Sequence, residues 1–256
     1  MTITESLISG IVQGLTEFLP VSSSGHLVLV HSFFGFAEAN VFFDICLHVA
    51  TLGAIVLYFS RDICTLVRER NTKWLIYIAV ATVPAVLAAL VFEKRISVFF
   101  SSPRKVAFML VVTALALFAG QLSLWKRTRP RKDPAFFSSL LVGIAQACAL
   151  IPGVSRSGMT ISAGLSAGMK AEEAFRFSFL LSVPIIIAAA AYKALTLDVG
   201  AIMSENLTSY AIGMASAFVT GLLSLSLLWR VLRGKRLFIF GVYCLTIGVI
   251  GIFFWR

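Results

Sequence analysis

Apolar runs of roughly 20 residues follow one another along the chain, and that is the length an α-helix needs to cross about 30 Å of hydrocarbon. With 59% hydrophobic and 13% charged residues, a soluble domain of this size has too little polar surface to cover itself. Segments alternating polar and apolar at every second residue, the mark of an outer-membrane barrel, are absent. The expected fold class is therefore an all-α polytopic membrane protein, with full spans at 41 to 60, 74 to 92, 106 to 125, 171 to 192, 207 to 229 and 237 to 255. Pro84 is expected to kink the second of them.

Two of the apolar stretches are interrupted, and the interruptions are related. Gly10 to His26 reads GIVQGLTEFLPVSSSGH, and Gly143 to Thr160 reads GIAQACALIPGVSRSGMT. A shift of 133 positions superposes seven of sixteen residues without a gap: Gly10, Ile11, Gln13, Val21, Ser22, Ser24 and Gly25 meet Gly143, Ile144, Gln146, Val154, Ser155, Ser157 and Gly158. The chain thus reads as an internal duplication. Proline lacks an N–H and disfavours helix in the residue before it, so each segment breaks into two half-length helices. Such a break at membrane depth is tolerated only inside protein or against a water-filled cavity. Both segments are read as re-entrant.

Three spans separate the copies, and an odd number of crossings makes the repeats inverted. The first repeat is 1–125, a basic cytoplasmic hinge loop is 126–134, and the second repeat is 135–256, together one membrane domain. Placing the basic loops at 61 to 73, 126 to 133, 170 and 230 to 236 in the cytoplasm puts fourteen Lys and Arg there against six outside, as the positive-inside rule requires. The termini then face outward, the broken tips meet near the midplane, and the site between them opens to the outer face. The net charge of +10 is accounted for by these clusters, which argues against nucleic acid as a partner. Cys46, Cys64, Cys148 and Cys244 are widely spaced and read as packing residues. No Lys or Arg precedes Arg61, so no signal peptide is expected and the mature chain should begin at or near Met1.

What the copies do not share carries the chemistry. Glu17 stands opposite Leu150 and Ser23 opposite Arg156, so acid and base are divided between the halves. Each half-helix after a break opens on serine, at Ser22, Ser23 and Ser24 and at Ser155 and Ser157. Two helix amino termini converging on one point make an anion site. A guanidinium at mid-membrane costs about 2.5 to 3.5 kcal/mol on insertion scales and needs a partner or ligand, and the fork of Arg156 suits phosphate oxygens. The plainer reading is that Arg156 only pairs with Glu17. Gln13 and Glu17 share a helix face four residues apart, and His26 lies one turn into the second half-helix, within reach of a serine hydroxyl or a leaving oxygen. Glu17 can serve as base or cation ligand. His31 reads as interfacial, His48 as structural, and Glu172, Glu173 and Arg176 as an interfacial ion-pair cluster.

GLTEFLPVSSSGH together with PGVSRSGMT, followed by FSFLLSVP at Phe177 to Pro184, resembles the undecaprenyl-diphosphatase family linked to bacitracin resistance, over essentially the whole chain. The resemblance implies a bacterial inner-membrane enzyme that removes the terminal phosphate from undecaprenyl diphosphate, the lipid carrier for cell-wall polymers, with bacitracin competing for that substrate. It places the acidic pattern on Gln13 and Glu17, the serine-rich stretch and histidine on Ser22, Ser23, Ser24 and His26, with Gly25 between them, and the second motif on Pro152, Gly153, Ser155, Arg156, Ser157 and Thr160. Ser23 is the position that looks most like a nucleophile, with Glu17 or His26 taking its proton, and direct attack by an activated water is the other route. Gln13 is the neutral variant of the first acidic position. The resemblance also implies a magnesium or calcium ion, with Glu17 as its ligand. The rival reading is an inverted-repeat transporter or flippase that binds an anionic lipid headgroup without cleaving it. A homodimer stays open.

Overall fold

A computed structural model describes residues 1–36, 41–100, 102–126, 134–196 and 206–255. Most of the expected hinge, 127–133, lies outside the described residues. Among those described there are eleven helices and no strand. In chain order they are α1 (Ile3–Phe18), α2 (Ser23–Phe34), α3 (Val41–Tyr58), α4 (Ser60–Arg68), α5 (Thr72–Phe100), α6 (Pro103–Lys126), α7 (Phe136–Cys148), α8 (Arg156–Ser166), α9 (Ala171–Thr196), α10 (Leu207–Arg233) and α11 (Phe238–Phe254).

Four of these, α5, α6, α9 and α10, contain stretches long and apolar enough to cross a membrane, and α3 with α4 makes a fifth if the bent pair counts as one span. The last expected span, α11, is a shorter apolar helix of 17 residues that packs along α6. Pro84 lies inside α5. The segment 61 to 73, expected as a loop, carries the helix α4, bent 68° from α3. The reason lies in its spacing: Ile63, Leu66 and Val67 fall on one side of a 3.6-residue period. Phe59, at the bend, is 2% exposed and packs against Phe175 and Phe179. Asp62 pairs with Arg176 of α9, and Arg176 also approaches Glu173 at 3.8 Å. The acid–base cluster read at the start of α9 therefore reaches across to α4.

Both interrupted segments are helix–break–helix. Leu19, ahead of Pro20, is extended at φ −60°, ψ 142°, as a residue before proline should be. Ser22 has φ 72° and caps α2 by accepting a hydrogen bond from the Gly25 amide. In the second break Ser155 caps α8 by accepting from the Gly158 amide, the same bond 133 residues on. Gly153 has φ 93°, where L side chains are strained, and a Cβ there would come within 2.4 Å of the Val106 carbonyl.

Small residues set the closest helix contacts, as is usual where lipid supplies no hydrophobic drive between helices. In the first half, Gly10 and Gly14 of α1 lie on Gly213 and Ala217 of α10, and Ser224 donates to the Gly14 carbonyl at 2.8 Å. In the second half, Gly143 of α7 lies on Ala81 of α5, and Gln146 Nε2 donates to the Ala81 carbonyl at 3.3 Å. A Cβ on Gly10 would meet the Gly213 carbonyl at 2.3 Å, and one on Gly143 the Ala81 carbonyl at 2.6 Å. Backbone cannot step aside as a side chain can. Gly10→Ala and Gly143→Ala are each expected to cost about 1 to 3 kcal/mol, read as a lower thermal unfolding midpoint in detergent; unchanged midpoints would show that the seams are looser than described.

Candidate active site

The two breaks touch, and that contact places the site. A Cβ on Gly25 would lie 3.0 Å from the Gly153 Cα, and one on Gly158 would lie 3.4 Å from the Pro20 Cβ. Ser157 Oγ donates to the Leu19 carbonyl at 3.3 Å. Thr113 of α6 fixes the second break from outside: its hydroxyl donates to the Gly153 carbonyl and accepts from the Ser155 amide, each at 2.9 Å. Side chains leaving the two breaks are thereby brought face to face.

Glu17 is the hub. It is 9% exposed and sits one residue before the C-terminus of α1. Arg156 Nη2, on the first residue of α8, donates to Glu17 Oε1 at 2.7 Å. Ser23 Oγ, on the first residue of α2, donates to Glu17 Oε2 at 2.6 Å. Gln13 Nε2 donates to the same oxygen at 3.1 Å from one turn back. A buried carboxylate is costly unless paired and hydrogen-bonded, and here a cation and two neutral donors meet that need. Two polar atoms stay unsatisfied. Arg156 Nη1 and Gln13 Oε1 are buried with no hydrogen-bond partner, one a donor and one an acceptor. Ser139 Oγ, Gln146 Oε1 and Ser162 Oγ are buried without a partner as well, so it is the place of these two beside Glu17, and not their being unpaired alone, that makes them candidates for a ligand.

The structure adds a residue that the sequence reading set aside as structural. His48 of α3 holds Nδ1 at 2.8 Å from the Asp44 carbonyl and places Nε2 3.8 Å from Glu17 Oε2. The bond to the carbonyl assigns the proton to Nδ1 and leaves Nε2 facing the carboxylate. A titratable residue inside an otherwise apolar run was the only signal available in sequence.

His26 is placed differently from the expectation that it reaches the serines or a leaving oxygen. Its Nδ1 lies 2.8 Å from the Ser22 carbonyl and its Nε2 2.9 Å from the Tyr243 hydroxyl, and its ring stacks on that of Tyr243 at 5.6 Å. Both ring nitrogens have partners in α2 and α11. Ser22 and Ser24 hydroxyls lie 3.5 Å apart, and Ser155 and Ser157 hydroxyls 3.3 Å apart. Thr160 bonds within α8 at the Arg156 carbonyl and meets Ser178 of α9 at 2.6 Å, which ties the helix that carries Arg156 to its neighbour. His31 meets Ser9 of α1 at 3.0 Å.

A buried carboxylate on a serine hydroxyl, beside a guanidinium with one unpartnered nitrogen, can take a proton from the hydroxyl while the guanidinium holds an anion. Comparison with known proteins agrees in kind. The family described as bacitracin resistance protein BacA matches residues 6–250. The chain is similar to the undecaprenyl-diphosphatase of Moorella thermoacetica, with 40% identity over 100% of this chain and 99% of that one. The undecaprenyl-diphosphatase of Pelotomaculum thermopropionicum is 37% identical over 97% and 95% of the two chains, and that of Methanosphaera stadtmanae 35% identical over 98% of each.

Proposed function

The chain belongs to the bacitracin resistance protein BacA family and is an undecaprenyl-diphosphate phosphatase, and from that premise we propose that Glu17, Ser23 and Arg156 remove the terminal phosphate. The activity returns undecaprenyl phosphate, the recycled carrier for cell-wall synthesis, and bacitracin is linked to the same substrate. The observation that carries the assignment is the pair Ser23 Oγ to Glu17 Oε2 at 2.6 Å with the unpartnered Arg156 Nη1 beside it. A transporter would need only the donors, not a base on a hydroxyl.

In the first step Ser23 Oγ attacks the terminal phosphorus and its proton passes to Glu17, the activated-nucleophile arrangement. The bond from that phosphorus to the bridging oxygen breaks, and undecaprenyl phosphate leaves with the electron pair. Glu17 passes the serine proton to the leaving phosphate oxygen. In the second step, again a carboxylate, it takes a proton from the attacking water and returns it to Ser23 Oγ as the serine is displaced and phosphate is released. Arg156 serves both steps. Nη2 holds Glu17 in place, and Nη1 takes a phosphoryl oxygen whose charge grows as the transition state forms. The amides of Arg156 and Ser157, at the opening of α8, add donors to that oxygen, whereas the Ser155 amide is already bonded to Thr113. His26 holds the α2 side of the site against Tyr243.

Magnesium or calcium fits the donor set in part. Gln13 Oε1 and the Glu17 carboxylate offer oxygen ligands on one helix face, and the Gln13 oxygen has no other partner. No group of three His, Cys, Asp or Glu gathers among the described residues; an ion held by these two would take its remaining ligands from the diphosphate and water, as is usual for magnesium. Bound there, the ion supplies neutralisation of diphosphate charge.

Arg156→Lys separates catalysis from binding. One ammonium cannot serve Glu17 and a phosphoryl oxygen in the two-pronged way of a guanidinium, so kcat for phosphate release from solubilised polyprenyl diphosphate should fall about 10²- to 10³-fold with KM changed far less. A rise in KM alone would assign Arg156 to ground-state binding.

The halves are proposed to be inverted repeats, each a re-entrant pair plus three spans (1–125 and 135–256), with the site open to the outer face of the bacterial inner membrane. The exchanged packing supports this: α1 lies on α10 of the other half, as α7 lies on α5. Arg70, ahead of α5, and Asn206, ahead of α10, hold matching places. Single cysteines there, in a chain without the native four, should label from opposite sides of the membrane. Labelling of both from one side would remove the inversion.

A further inference from the structure

A cavity of about 610 Å³ lies away from Glu17 where α6, α8, α9 and α10 end or begin. Leu165, on its wall, is nine residues past Arg156, or about 14 Å along the axis of α8. Three cations line it, Lys170, Arg233 and Lys235, with Glu172 the one acid, so the lining carries a net charge of plus two. Its other face is apolar: Leu165, Met169 and Leu232 are 0 to 3% exposed.

Two further features position the segment that carries Arg233 and Lys235, whose side chains are exposed. Arg233 stacks its guanidinium over the Trp229 ring at 5.6 Å, and Trp229 also lines the cavity. Lys235 has φ 52° in the turn that closes α10, where the Arg236 amide donates to the Val231 carbonyl and the Lys235 amide to the Leu232 carbonyl, each at 3.0 Å, as in many helix C-termini. Gln121, 2% exposed, ties the turn to α6 by donating to the Lys235 carbonyl and accepting from the Phe238 amide, each at 2.9 Å. A buried glutamine thus anchors the backbone that carries Lys235. The amino terminus of α9 at Ala171 adds its amides to the same wall.

We propose that this cavity binds the phosphate headgroup of an anionic membrane lipid, with Lys170, Arg233 and Lys235 around the phosphate and the chain leaving over Trp229 and the leucines. The position supports a lipid rather than a soluble anion. Trp125 and Lys126 end α6 next to the cavity residues Ser123 and Leu124, and tryptophan beside lysine at helix ends marks the membrane–water interface. Ser123 and Glu172 both line the cavity, but Ser123 Oγ meets the Ala119 carbonyl and Ser166 Oγ, and the proposal is of binding alone. It is independent of the Glu17 reading.

Native mass spectrometry of the full chain, purified from membranes and exchanged against equimolar phosphatidylglycerol and phosphatidylcholine, tests this. Wild type should retain phosphatidylglycerol at least tenfold over phosphatidylcholine, and R233Q/K235Q should lose most of that preference while R233K/K235R keeps it. Phosphate release at the Glu17 site serves as the folding control and should change less than twofold. If the double variant fails that control, K170Q alone takes its place and should lose at least threefold of the preference. Equal retention of the two lipids by wild type, or an undiminished preference in folded variants, would overturn the proposal. Displacement of the lipid by millimolar inorganic phosphate would overturn it too, by assigning the cavity to free phosphate.

Discussion

Ser23→Ala is expected to leave no measurable turnover while undecaprenyl diphosphate still binds. The change removes the oxygen that lies 2.6 Å from Glu17 Oε2 and little else, because Ser23 is only the first residue of α2 and the cap of that helix is Ser22. Fold and substrate cradle should therefore survive. If the serine forms the bond to phosphorus, no neighbouring group replaces it, since Ser22 and Ser24 are occupied with each other and with the cap. A fall of about 10⁴-fold or more in kcat corresponds to the loss of the covalent route, with whatever binding and charge stabilisation contribute left over. Single-turnover phosphate release and lipid retention, measured on the same preparation, decide it. Residual turnover within tenfold of wild type would transfer the attack to water activated by Glu17.

Glu17→Gln tests the other end of that bond. The amide keeps the volume and can still accept from Ser23 or Arg156, but it cannot take a proton. General-base catalysis is worth about 10²- to 10⁴-fold, and Glu17 also holds Arg156 in position, so the loss should fall at the upper end of that range. The expected signature is a collapse of kcat with lipid binding kept within a few fold. Stability should fall as well, but by less than activity. Arg156 would keep a neutral acceptor and lose its counterion, a loss worth up to about 3 to 5 kcal/mol for a buried pair, so the thermal midpoint should drop while the chain stays folded and binds lipid. A Glu17→Gln enzyme with near-normal turnover would exclude the carboxylate as base, and loss of binding without loss of kcat would make it a ligand for substrate or cation only.

Much of this site is legible in the sequence because its elements are local. Pro20 and the serines after it dictate a break and a fresh helix start whatever surrounds them, and the recurrence at Ser155 doubles the signal. Arg156 and Glu17 can be matched because each is too costly to leave alone in an apolar segment. The ion pair of the plainer reading is present through one guanidinium nitrogen, and the other, unpartnered, is the one proposed to take a phosphoryl oxygen. What could not be read depends on how distant helices lie on one another. His48 reaches Glu17 only because α3 packs beside α1, and Tyr243 reaches His26 across 217 residues. Neither contact leaves a trace in local spacing. The helix α4 was hidden for another reason: its basic residues suggest a loop, while its apolar residues, at helical spacing, decide the conformation together with the anchoring of Phe59 and Asp62.

The ion pair between Glu17 and Arg156 joins residues 139 apart in the chain, and this separation has a consequence for synthesis. At about 5 to 20 residues per second, the carboxylate is synthesised roughly 7 to 28 s before its counterion. Through that interval the nascent chain must shelter Glu17 with what has already emerged, and Gln13 and Ser23, four and six residues away, are the donors at hand. The first broken helix pair can wait as a neutral-donor cradle, and arrival of the second closes the electrostatic circuit. A ribosome stalled between the two motifs therefore leaves a chain that is inserted and hydrogen-bonded but not yet armed.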